Sequence, residues 1–188
     1  MPLWGANTNN ESKPKNLTEE EKSRVFASER GWEITRPDGQ TEVLVAIRGL
    51  AGAATTSVKL GAATIDQVYF RATSYSTGAT GLVRVVWNEK VTATTTGTLS
   101  INVTARDGTS LSTITATRTG PTGNNYVDFA FTAPSATGST LRITSQTISM
   151  GIQDLGRTGV TSDLSIVLAE VKTAGLIKGG STSEVTTV

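Results

Sequence analysis

Cysteine and histidine are both missing from this chain of 188 residues. Without cysteine there is no disulfide framework, no thiolate metal site and no cysteine nucleophile. Without histidine the usual general base near neutral pH and the commonest transition-metal ligand are gone, which removes most hydrolase and metalloenzyme readings. An excess of one charge is lacking too: 17 Lys and Arg against 16 Asp and Glu leave a formal net charge of +1, with no long run of either sign. That balance argues against a generic nucleic-acid binder. No apolar run has the length of a signal-peptide core or a spanning segment, so the sequence predicts a soluble protein made in the cytoplasm, with no membrane partner.

What is present is a bias toward Thr, Ser, Ala and Gly, a composition shared with many extracellular and virion β proteins. Residues 1–16 hold Asn7, Asn9, Asn10, Ser12, Lys13, Pro14 and Lys15, with little to bury except Leu3 and Trp4. The stretch reads as an extended arm whose Trp4 seeks an apolar pocket, on its own domain or on a neighbour. Residues 17–57 form a second unit. Thr18 followed by Glu21 has capping-box spacing, predicting a short helix that continues through Val25, Phe26 and Ala27 until Gly31 stops it. Trp32 to Thr35 and Glu42 to Arg48 flank Arg36-Pro37-Asp38-Gly39, the chemistry of a tight turn, and predict a hairpin whose second strand is buried on both faces. Leu50 to Thr56 is small and flexible, and reads as a joint.

From residue 58 to 173 short period-two rows recur, among them Val83, Val85 and Trp87, then Leu99, Ile101 and Val103, then Val127, Phe129 and Phe131, with Gly, Asp, Asn and Pro between them. No helical stretch separates them. The expected fold is therefore mostly β, an antiparallel β-sandwich or jelly roll preceded by the arm, the short helix and the hairpin. Ser149 to Ser162, with three glycines, reads as a long loop, and residues 174–188 as a flexible tail.

The acids that a glycosidase would need, Glu89, Asp107, Asp128, Asp154 and Asp163, carry no signature beyond their charge. Asp107 precedes Gly in a turn, where Asp is expected for backbone bonding, and Asp128 and Asp163 read as strand-edge solubility. No calcium-loop spacing and no phosphate-loop ending is present, so no cofactor and no metal is expected. A sugar-binding row would use Tyr69, Tyr75 and Trp87, although Trp87 shares its face with Val83 and Val85 and fits a core better. The sequence predicts a protein that is not an enzyme.

The opening Met1-Pro2-Leu3-Trp4-Gly5, the Lys13-Pro14-Lys15 step, Leu17-Thr18 with its Glu-rich helix, Gly31-Trp32 and the strand Val43-Leu44-Val45-Ala46-Ile47 together resemble small structural proteins of contractile-tailed marine cyanophages. The resemblance covers roughly the first quarter of the chain. It implies a virion component, in the simplest case a capsid decoration or cement protein whose arm lies across the major capsid protein lattice, as a dimer or trimer at a symmetry axis. The docking residues expected on that basis are Leu3 and Trp4, with Lys13 and Lys15 as electrostatic contacts. A tail, neck or fibre component and a glycan-binding β-sandwich module are the alternatives.

Overall fold

The computed structural model describes residues 13–14, 16–28, 30–46, 63–111, 113–119, 123–155, 161–167, 171 and 184–188. Leu3, Trp4, Lys15 and the expected joint at Leu50 to Thr56 lie outside them. The one helix formed by the described residues, α1, spans Glu19–Arg24. Its start follows the predicted chemistry: the Thr18 hydroxyl accepts from the Glu21 N–H at 3.2 Å, and the Glu21 carboxylate accepts from the Thr18 N–H at 3.0 Å. That return bond, with smaller help from Arg36 and Arg24, holds the Glu21 carboxyl below its ordinary value. The helix does not continue as predicted. Val25 is already extended, and β1 runs over Val25–Ser28. Val25 and Phe26 are β-branched and aromatic, and a partner strand at Gly31–Thr35 captures them, a tertiary pairing that outweighs local helix preference.

β2 (Gly31–Thr35) and β3 (Thr41–Ala46) make the predicted hairpin. Its turn closes with Gly39 N–H to the Arg36 carbonyl at 2.9 Å, and Gly39 takes φ +85°, a region that favours glycine. The remaining strands are β4 (Ile65–Phe70), β5 (Ser74–Tyr75), β6 (Thr80–Ala93), β7 (Thr98–Thr104), β8 (Ile114–Arg118), β9 (Asn124–Thr132), β10 (Thr140–Arg142), β11 (Gln146–Thr147), β12 (Ile152–Asp154), β13 (Ser165–Ile166) and β14 (Glu184–Thr187). The mostly β expectation holds. Pairing runs in one path, β3-β2-β1-β6-β9-β8-β7-β10-β14-β5, with β4 and β12 also on β6 and with β11 and β13 as a separate pair. The sheet is mixed, since β1 joins β6 and β14 joins β5 in parallel, where the sequence reading expected antiparallel pairing throughout.

The sheet curls, and its inward faces meet in one core. Ile65, Val68 and Phe70 of β4 and Val83, Val85 and Trp87 of β6 share that core with Leu99, Ile101 and Val103 of β7, Leu141 of β10 and Val185 of β14. The curl is closed by aromatics from distant parts of the path: the Phe70, Tyr75 and Phe131 rings meet edge to face with centroids 5.2 to 6.3 Å apart. Gly81 on β6 is where the Phe131 ring lies flush on the backbone, so that a Cβ there would collide with it. A second, smaller core of Val25, Ala27, Trp32 and Ile34 holds the helix and hairpin unit together, with Leu17 and Leu44 against it.

Two further expectations are corrected. The long loop expected at Ser149 to Ser162 contains β12, which pairs with Val91 to Ala93 at the end of β6. The tail expected over residues 174–188 is not loose throughout: β14 is inserted between β10 and β5, Val185 is buried, and the Thr187 hydroxyl donates to the Ala136 carbonyl at 2.7 Å. Residues 174–183 lie outside the described ones. No helix formed by the described residues is long and apolar enough to cross a membrane.

Candidate interaction surface

Buried polar contacts help to attach the helix and hairpin unit to the main sheet. β4 shifts its register against β6 between Ile65 and Gln67, which leaves Asp66 without a cross-strand partner. Such a bulge re-aims a side chain. Here the Asp66 carboxylate meets the ammonium of Lys13, Nζ to Oδ2 at 2.5 Å, with each side chain only 2% exposed. The same ammonium donates to the Lys22 carbonyl at the end of α1, at 2.8 Å. Nearby the buried Asn125 amide donates to the Ser23 carbonyl of α1 and to the Trp87 carbonyl of β6, each at 3.4 Å. Direct strand pairing between the unit and β6 adds one register pair, Ala27 with Glu89.

Lys13 is therefore not a surface cation of a free arm. Its charge is committed inside its own fold, where the sequence reading placed it against a lattice. Leu3, Trp4 and Lys15, the other three expected docking residues, lie outside the described residues. What the structure adds is β3. It stands at one end of the pairing path, and among the described residues no strand covers its outer edge. Val43 and Val45 are 37% and 38% exposed, which corrects the expectation of a strand buried on both faces. The alternation that suggested burial is broken by a bulge: Trp32 pairs with Val45 and Glu33 with Val43, so Leu44 has no partner and the valines sit opposite residues of different faces. Beside the edge, Arg36 bridges Glu42 at 2.7 Å and Glu21 at 3.3 Å, tying the turn to α1.

A second polar cluster covers the outer face where β4, β6 and β9 run side by side. Arg84 forks onto Asp128 through Nε and Nη2, both at 2.7 Å, and its guanidinium lies 3.7 Å from the centre of the Tyr126 ring. Arg71 approaches the same carboxylate at 3.8 Å. Burial pulls the Arg84 guanidinium down, and the Asp128 carboxylate more than offsets it, so the group is held above its ordinary value. Burial pushes the Tyr69 phenol up, against the pull of Arg84 and Arg71. Asp128 is thus a buried partner of Arg84, not the solubilising edge residue expected; the two are 44 residues apart, and no local signal joins them.

The other acids considered from sequence are dispersed. Asp107 and Asp163 each accept from the backbone N–H two residues on, Thr109 and Ser165, both at 2.9 Å. For Asp107 this is the expected turn role. The three aromatics that a sugar-binding row would need are buried: Trp87 is in the core with its Nε1 donating to the Asp163 carbonyl at 2.9 Å, and the Tyr75 hydroxyl donates to the Leu82 carbonyl at 2.9 Å. Tyr69 is likewise buried.

A protein-family model described as a family of unknown function (DUF7440) matches residues 9–67, about a third of the chain. The matched stretch takes in Lys13, the capped helix, the hairpin and β4 as far as Asp66 and Gln67. No curated protein and no solved structure matches this chain.

Proposed function

We propose that this chain is a virion structural protein, of the capsid decoration or cement type, which docks on the major capsid protein lattice through its N-terminal unit. The observation that carries the reading is β3, an edge strand with two half-exposed valines, on a helix and hairpin unit that has its own small core. An open edge offers a row of backbone donors and acceptors to a neighbouring strand, and flanking apolar side chains add burial when it pairs. Repetition over a lattice multiplies a modest contact into firm attachment. Leu3 and Trp4, which precede this unit in sequence, are the docking residues that the resemblance implies. The resemblance of the first quarter of the chain to cyanophage structural proteins supplies the lattice.

The test is co-sedimentation with empty phage capsids, using the full chain, a chain lacking residues 1–12 and the double variant Val43→Lys, Val45→Lys, with circular dichroism on each. The deletion stops at residue 12 because Lys13 is part of the folded unit. The full chain is expected in the pellet. Both altered chains should be folded, and both should be depleted from the pellet by tenfold or more, since lysines on an edge oppose strand addition. A folded full chain that stays in the supernatant would overturn the capsid assignment, and tail, neck or fibre assemblies would be the next particles to test.

A further inference from the structure

The contact between Lys13 and Asp66 holds a lysine nitrogen against a carboxyl group, out of reach of bulk water. Both side chains are 2% exposed, and the nitrogen lies 2.5 Å from Oδ2. Burial penalises the charge on each partner. Amide formation begins with transfer of one proton along the contact, from ammonium to carboxylate, which makes Nζ a nucleophile and the carboxyl group an acyl donor. The Lys22 carbonyl, accepting from the same nitrogen at 2.8 Å, fixes where that nitrogen sits. Holding the two groups side by side replaces a bimolecular encounter by an intramolecular one.

We infer that, after folding, Lys13 and Asp66 join in an intramolecular amide bond. The amine lone pair of Nζ attacks Cγ of Asp66 and forms the C–N bond. The bond from Cγ to its protonated oxygen then breaks, that hydroxyl takes the second proton from nitrogen, and one water leaves. Atoms and charge balance without an oxidant, a reductant or a co-reactant, and the exclusion of bulk water protects the product from hydrolysis. The bond ties residue 13 to a strand 53 positions later, enclosing α1 and the whole hairpin. It bolts a unit that strand pairing joins to β6 at only one register pair. Both residues lie within the family-matched stretch at 9–67. The inference stands apart from the capsid reading, since it needs no lattice.

Intact-mass spectrometry of the purified, folded full chain decides it. The expected mass is that of the sequence less one water, and tryptic digestion should give one branched peptide uniting residues 1–15 with residues 60–71. Lys13→Arg and Asp66→Ala should each restore the full sequence mass. Either substitution strands a buried group and can unfold the chain, so the parent's own digest is the primary readout. A folded parent at full mass, with the two peptides recovered separately, overturns the inference and leaves an ion pair. So does a loss of water mapped to a linear peptide, as a succinimide at Asp38-Gly39 or Asp107-Gly108 would give.

Discussion

Trp87 shows how one side chain can serve two parts of the fold. Its ring is fully buried between β4 and the far strands, and its Nε1 reaches the Asp163 carbonyl 76 residues away. Trp87→Ala should cost about 3–5 kcal/mol by urea denaturation, because it opens a large cavity and strands that carbonyl. A curve superimposable on the parent's would contradict the core described above. Tyr69 and Tyr75 make a different prediction. Burial raises both phenols above the ordinary value of 10.0, so the folded state holds these protons more tightly than the unfolded chain does. Their contribution is fully present below the unfolded value and is lost as pH rises through the folded ones. The urea midpoint should therefore hold steady below the ordinary phenol value and fall as pH rises past it. Tyr69→Phe should make that alkaline fall shallower, and an unchanged slope would argue against a buried phenol.

At the scale of elements, legibility followed the range of the physics. The capping box at Thr18 and Glu21 and the turn at Arg36 to Gly39 act within four residues, and both stand where the sequence put them. Where a partner strand decides, the local pattern misled. Val25 to Ala27 carry an apolar run that suits a helix end and a strand equally, and the Gly31–Thr35 partner chose the strand. The alternation over Val43 to Ala46 gave no warning of a bulge, since a bulge belongs to a pair of strands and not to one. β12 is three residues long among glycines, too short for a periodic signal, and is held because Val91 to Ala93 offer it an edge. The candidate surface was legible only as a region. The first quarter of the chain pointed to attachment, while the pairing of Lys13 with Asp66 and the openness of β3 depend on contacts across the fold.

For the molecule as a whole, the segment most misjudged from composition is the last one. Four of the five residues in Glu-Val-Thr-Thr-Val are β-branched, but they follow a Gly- and Ser-rich stretch that suggested fraying. Deleting residues 184–188 should destabilise the protein by about 2–4 kcal/mol, through loss of the buried Val185 and of the bonds that β14 makes to β10 and β5. A thermal melt matching the parent's would show that β14 is dispensable. β6 has a wider consequence. Its fourteen residues take partners from β1 and β4 before it and from β9 and β12 after it, which spreads its contacts over residues 25 to 154. During synthesis β6 therefore emerges with only its earlier partners available, and the edge that β9 takes stays open until β9 follows. A chain built this way spends its youth on the ribosome with a long sticky strand exposed. Folding that completes only after most of the chain has emerged is the expected consequence of that spine.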